Sequence, residues 1–421
     1  FGSNNIWGIF PSASVGWVAS RENFFPKNTF VGFLKIRGSF GIVGNEQSLA
    51  PFAYTSIVGS GYNYVYGNNQ LGIGYAATRP SNPDLKWESV HSSNIGLDAV
   101  IFNDFNITFD LYKKLTKGML EEQTIPGYTG YVYAPYANVG NLENKGFEFE
   151  LGYTKKFGEF GFNTSGNISY NHNEITNLGN IAYQDLGSFQ SSAYPLQRRA
   201  VGHEVNAFYG FQETGVFHSQ AEIDAYTLNG TKIQPNAKPG DFKWQDINGD
   251  GKIDQADRTF LGSPIPKWTY GLNINANYKS FDIKMFGQGA WGNKVFQAYR
   301  RLDVTTANYT AEALNAWTPA NSNSDYPRLS DSDPNGNFKN PSNFYLQSGA
   351  YFRIKTMQIG YTVPKALLQK ADISRLRFYI SSNNLATITK YNGFDPEVAG
   401  GIDRGVYPQS RSFLFGLDLT L

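Results

Sequence analysis

The 421-residue chain has no cysteine and only three methionines. Disulfides, thiol catalysis and zinc–thiolate sites are therefore excluded. Charge is scarce as well: Asp, Glu, Lys and Arg make up 17% of the residues, against roughly 25% in ordinary soluble domains. The charge present balances to +1, without the basic footprint of a nucleic-acid binder. No apolar run reaches the length of about 18 residues that a transmembrane helix needs. The opening FGSNNIWGIFPSASVGWVAS has neither an initiator Met nor the basic-then-apolar build of a signal peptide. It reads as the middle of something. Aromatics, in contrast, are abundant at 16%, and a hydrophobic content of 41% excludes a disordered chain. Few charges and many aromatics mean that much of the surface faces something other than bulk water, or binds ligand.

Helical signals are short, confined to segments such as 219–226 and 365–370. Period-2 alternation dominates. Phe105, Ile107, Phe109 and Leu111 alternate with Asn106, Thr108, Asp110 and Tyr112. Tyr270, Leu272, Ile274, Ala276 and Tyr278 alternate with Gly271, Asn273, Asn275 and Asn277. The last residues repeat the pattern: Phe413, Phe415, Leu417, Leu419 and Leu421 against Leu414, Gly416, Asp418 and Thr420. Segments of about 9–11 residues match tilted strands that cross a bilayer. A large soluble sandwich also alternates. Three features favour the membrane: a polar face of Asn, Gly, Ser and Thr, aromatics such as Trp87, Tyr153, Tyr170, Trp268 and Trp291 at segment ends, and connections that alternate between short and long.

The pattern predicts an all-β, transmembrane antiparallel β-barrel segment of eleven strands. They fall at about 10–20, 33–43, 88–101, 105–117, 145–155, 160–173, 267–279, 281–295, 347–362, 375–389 and 410–421. Short turns are expected at 102–104, 156–159 and 279–280, and long extracellular loops at 44–87, 118–144, 174–266, 296–346 and 390–409. With the short turns in the periplasm the C-terminus lies there too. Eleven strands leave the two termini on opposite sides, so residues 1–421 are expected to form the C-terminal part of a single barrel domain in a longer polypeptide. Slipping the last strand by one residue would turn Asp418 toward lipid.

Eight collinear stretches carry a family resemblance: 34–45 (LKIRGSFGIVGN), 82–97 (NPDLKWESVHSSNIGL), 138–151 (NVGNLENKGFEFEL), 240–262 (GDFKWQDINGDGKIDQADRTFLG), 317–329 (WTPANSNSDYPRL), 351–364 (YFRIKTMQIGYTVP), 383–398 (NNLATITKYNGFDPEV) and 407–421 (YPQSRSFLFGLDLTL). In these the chain resembles the SusC/RagA family of TonB-dependent outer-membrane transporters of Bacteroidetes. The resemblance implies a 22-stranded plugged barrel, energised by the TonB complex through an N-terminal part and capped by a SusD-like surface lipoprotein. Against that family pattern, residues 1–421 are expected to correspond to the barrel's second half, without the plug and the TonB-contacting segment, and Leu421 stands where the family often ends in Phe. No substrate-binding residue is carried over.

The sharpest local motif is DINGDGKIDQAD. Asp246, Asn248, Asp250, the Lys252 carbonyl, Asp254 and Asp257 occupy the six ligand positions of an EF-hand-like Ca²⁺ loop, with Gly251 at the sharp turn. Position 12 is Asp where a bidentate Glu is usual, and the residues before the loop look extended. The other reading is a Gly/Asp/Asn turn that binds no metal. His91, His172, His203 and His218 are scattered without ligand spacing, and no nucleophile elbow or phosphate loop occurs, so no enzyme activity is expected. Glu121–Glu122 read as solvated loop charges, because adjacent carboxylates do not flank a glycosidic bond. Arg198–Arg199 and Arg300–Arg301 read first as solvated loop charge, and otherwise as contacts to anionic lipopolysaccharide of the outer membrane or to a partner. The tyrosines of GYNYVYG (62, 64, 66) and GYTGYVYAPY (128, 131, 133, 136) could stack on sugars or peptides, with loop packing or lipoprotein contact as the favoured reading.

Import of oligosaccharides or oligopeptides is the leading expectation. A SusC-like scaffold in an outer-membrane assembly or secretion complex is the alternative, and a soluble glycan-binding β-protein with a dockerin-like calcium loop the third.

Overall fold

Alternation at period 2 puts an apolar row on one side of every long segment, and such segments satisfy their backbone by pairing edge to edge. The computed structural model describes all residues except 3, 27–29, 48, 124, 191, 300–306 and 370–371, so Arg300–Arg301 lie outside the described residues. Eleven strands form one sheet in sequence order: β1 (Ser12–Trp17), β2 (Val31–Asn45), β3 (Glu88–Ile101), β4 (Phe105–Lys117), β5 (Asn141–Phe157), β6 (Phe160–Asn177), β7 (Trp268–Tyr278), β8 (Phe281–Trp291), β9 (Tyr351–Thr362), β10 (Arg375–Thr389) and β11 (Ser412–Thr420). Every neighbouring pair is antiparallel. All eleven expected strands are present.

Register turns the alternation of single strands into two continuous faces. Trp17, Ile36, Leu97, Phe109, Phe149, Ile168, Tyr270, Gly289, Phe352 and Ile388 lie opposite one another across ten strands. One residue along, on the other face, run Gly16, Arg37, Gly96, Asp110, Glu148, Ser169, Thr269, Ala290, Tyr351 and Thr389. The sheet is therefore two-sided: apolar on one face, polar on the other.

Aromatics mark the two edges of the apolar band. Phe157, Phe160, Tyr278, Phe281, Tyr361 and Phe378 are consecutive partners at the short-turn edge. Phe147, Tyr170, Trp268 and Trp291 are consecutive partners at the long-loop edge. The eleven residues of β7 connect the two rows. At about 3.4 Å per residue and about 40° of tilt they span roughly 26 Å in height, close to the apolar band of an outer-membrane barrel.

The short turns fall as expected. Gly158 adopts φ +60° in the turn between β5 and β6, a left-handed conformation that glycine takes without a Cβ penalty. Strands β5 and β6 run further toward the long loops than predicted, because Asn141, Glu143, Glu174 and Asn177 continue the ladder in polar residues beyond the aromatic edge. Strand β8 ends at Trp291 rather than near residue 295, because Lys294–Gln297 leaves to pair with Leu346–Ser348 and Ile402–Asp403. The segment 219–226 forms a short helix, Gln220–Ala225, with Ser219 accepting from the Glu222 amide as its N-cap. The 365–370 segment gives Lys365–Leu368.

The buried core lies in the long loops, away from the sheet. Residues 183–186, 197–200, 207–211 and 258–262 make a four-stranded sheet. Against it pack Phe189, Leu196, Phe208, Phe296 and Tyr345 from two different loops. A neighbouring cluster gathers Phe211, Val216, Phe242 and Trp244, with Trp244 donating its indole N–H to the Asn335 carbonyl.

Candidate functional site: the polar face and the loop body

Polar-face parity brings together charges that lie far apart in sequence. Arg37 of β2 donates to Asp98 of β3 (3.1 Å) and to Asp110 of β4 (2.6 Å). Arg377 of β10 makes the same fork, to Asp282 of β8 (2.7 Å) and to Asp418 of β11 (3.1 Å). Asp418 thus lies on the polar face, as the register argument required. Both clusters were missed in sequence: alternation gives each residue a face, but only register says which partner it meets.

A third cluster ties a loop to this face. Residues 390–411 bend back so that Glu397 accepts from Tyr351, Gln288, Arg353, Lys355 and Gln409. Arg353, which is 2% exposed, also donates to Asp395 at 2.7 Å and to Thr387. Burial pushes the Asp395 carboxyl up, but the Glu397 amide, Arg353 and the Gln409 amide outweigh it and hold the group below the usual carboxylate range. Glu397 behaves likewise: burial is the largest influence, and Tyr351, Arg353 and Lys355 together bring it down. The polar face is therefore partly roofed by a strap fixed through charge-assisted hydrogen bonds.

Above the sheet, the loop body holds a cavity of about 570 Å³ with acidic and aromatic walls that include Glu213, Glu312, Asp325, Tyr299, Tyr326 and Phe344. Burial pushes the Glu213 carboxyl up, against the Gly215 amide and Asn343, which pull it down. These residues come from separate loops and carried no sequence signal.

The Asp246–Asp257 loop closes on its own amides. Asp246 accepts from Gly249, Asp250 and Gly251. Asp257 is fully buried and accepts from Ile247 and Asp254, and Asn248 and Asp250 accept from Asp250 and Lys252. The Lys252 ammonium lies 3.0 Å from Asp254 and 3.7 Å from Asp250. Among the described residues no group of three or more His, Asp or Glu is arranged to hold a metal ion.

Glu121 and Glu122 differ from their solvated reading. Each takes an arginine, Glu121 from Arg199 and Glu122 from Arg79, both at 2.6 Å, because adjacent strand residues point opposite ways. Arg198 and Arg199 are likewise committed: Arg198 to Asp185 between the rings of Tyr183 and Tyr209, Arg199 to Glu121 and Asn206. The tyrosines divide. Tyr136 packs under Arg79, while Tyr64, Tyr66 and Tyr128 stay exposed. The histidines remain apart, His91 near Ser89, His172 near Glu174, His203 stacked on Phe260 and His218 on the Ser322 carbonyl.

Residues 1–385 match the family described as TonB dependent receptor-like, β-barrel. TonB-dependent receptor P3 of Formosa agariphila is 33% identical over the whole chain, which covers 42% of that relative. TonB-dependent receptor SusC of Bacteroides thetaiotaomicron is 30% identical, again over the whole chain and 40% of its own length. A chain of the RagAB peptide transporter superposes over the whole length with a TM-score of 0.82 at 24% identity, covering 44% of that chain. The sequence thus spans about two-fifths of the curated relatives it matches.

Proposed function

Because the chain belongs to the TonB dependent receptor-like β-barrel family, in its SusC/RagA branch, we propose that it is the C-terminal part of one outer-membrane import barrel, whose plug and remaining strands belong to a longer protein. The observation that carries this is the two-faced register. A predominantly apolar face bounded by aromatics suits acyl chains, while the opposite face offers amides, hydroxyls and paired charges to a water-filled lumen. The long loops are extracellular and the C-terminus periplasmic. The protein does no covalent chemistry; TonB supplies the work.

The cargo is an oligosaccharide or an oligopeptide, delivered beneath a SusD-like lipoprotein that seats on the loop body. Amides and hydroxyls on the polar face, such as Asn167, Asn273 and Ser165, exchange hydrogen bonds with either substrate. The acidic and aromatic cavity is its first contact. RagAB is described as a peptide transporter, and the same face would suit a peptide here. The test is uptake by the full-length protein in cells lacking it: labelled oligopeptides or oligosaccharides should enter only with functional TonB. Uptake that ignores TonB, or copurification with secretion components in place of a lipoprotein lid, would overturn the import reading.

For the Asp246–Asp257 loop we propose Ca²⁺ as a competitor of Lys252. The ammonium–carboxylate pairs there are exposed and of little value, and a divalent ion drawing Asp246, Asn248, Asp250 and Asp254 inward would replace them.

A further inference from the structure

On the apolar side of β4–β6 the aromatic edge gives way abruptly to cations. Leu111, Phe147 and Tyr170 are cross-strand partners at the edge. Two residues further along each strand, on the same side, Lys113, Lys145 and His172 are partners in turn. Beyond them come Leu115, Glu143 and Glu174, then Lys117. Alternation forbids these side chains from turning into the lumen. Lys113 and Lys145 share one carboxylate, Glu143, at 2.9 and 3.1 Å, and His172 lies 3.2 Å from Glu174. Both lysine side chains are more than half exposed, at 58% and 51%.

The opposite edge of the band is built differently. There Lys155 has Asp104 to itself, and Lys279 has Glu159 at 3.4 Å. At the long-loop edge three lysines meet two glutamates, so positive charge is left over. Each shared ammonium has three N–H donors and spends one on Glu143. Four donors on adjacent strands, at headgroup height just outside the acyl chains, fit phosphate oxygens.

We propose that Lys113 and Lys145, held side by side by Glu143, form a docking site for a phosphate of lipid A in the outer leaflet, with Lys117 and His172 flanking it. This rests on the proposed topology, which puts the long-loop edge outside. The lipid would fix the barrel's height and orientation in the membrane at β4–β6.

The experiment uses full-length protein extracted from outer membranes and exchanged into mild detergent, with bound lipid A counted by native mass spectrometry. The K113Q/K145Q variant should retain roughly 25-fold less, about fivefold for each ammonium lost at a charged surface, while its heat-modifiable migration shows an intact barrel. Equal retention by the variant, equal binding of dephosphorylated lipid A, or equal binding of phosphatidylglycerol would each overturn the proposal. Topology is checked separately by K117C and a membrane-impermeant maleimide on intact cells. Labelling with unchanged lipid A retention sinks only the docking site; failure to label, with the barrel present, sinks the outward placement on which it depends.

Discussion

The sheet wall and the loop body of one chain bury apolar surface in opposite ways. In the wall, Ile380, Phe413 and Phe415 are more than half exposed, although they form part of the apolar face. In the loop body, Phe208, Phe296, Phe217 and Trp244 are essentially inaccessible. The wall leaves its sealing to a lipid solvent and keeps only backbone pairing for itself. The loop body faces water and must build its own core, as a soluble domain does. Hence the same residue types have different jobs on either side of the aromatic edge, and the same substitution should do different damage.

Trp244→Ala should have the largest effect on the loop body. It empties a site packed by Phe211 and Phe242 and removes the hydrogen bond to Asn335, at a cost of about 3–5 kcal/mol. Limited proteolysis should then cut residues 178–266 while the barrel keeps its heat-modifiable migration; collapse of both together would mean that the two regions are one cooperative unit. The wall counterpart is Ile274→Arg, halfway along β7 on the apolar face. A cation at the bilayer midplane costs about 2–4 kcal/mol. Denaturant unfolding in lipid vesicles should show that loss, and proteolysis of the loops should not change. If the arginine is tolerated, the apolar row does not face acyl chains.

The same division explains what was legible in the sequence. All eleven wall strands could be read, because a two-sided environment writes itself as strict alternation over long segments. Even the placement of Asp418 followed from parity. The ends were less clear where polar residues extend the ladder past the aromatic edge, as Glu143 and Glu174 do. Partners could not be read: Arg37 with Asp110 and Arg377 with Asp282 are separated by 73 and 95 residues, and only register joins them. The loop body was nearly opaque. Its core joins Phe189 of one loop to Phe296 and Tyr345 of another through strands of two to five residues, too short to show a period. Glu121 and Glu122 looked solvated because their arginines come from elsewhere in the chain.

The strap over the polar face lies between the two regimes, and pH should separate it from both. Asp395 and Glu397 are held below their ordinary range, so the folded state favours their ionised forms. Their contribution is complete above the unfolded carboxylate pKa of about 4 and is lost as pH falls through the folded values. The Glu397 and Gln409 amides, both donating to Asp395, report it directly. After correction for intrinsic rates, their hydrogen exchange should stay slow down to about pH 5 and quicken only at more acid pH. Quickening already between pH 6 and 7 would show that these carboxylates do not hold the strap.

Calcium should produce the smallest change, and only in the loop body. An ion that binds the folded loop and not the unfolded one stabilises it by about 1.4 kcal/mol at ten times its dissociation constant. Adding Ca²⁺ after EGTA should therefore slow proteolysis within 246–257 several-fold and leave the strap amides and the barrel's migration untouched. Asp250→Asn should abolish the response by weakening the donor set, whereas Lys252→Ala should enhance it by removing the competing ammonium, since Lys252 contributes its carbonyl and not its side chain to the proposed ligand set. The lysine variant is the decisive member of the pair. If the loop is simply a turn closed by its own amides, losing the ammonium leaves Asp250 and Asp254 repelling each other and protection falls whether Ca²⁺ is present or not.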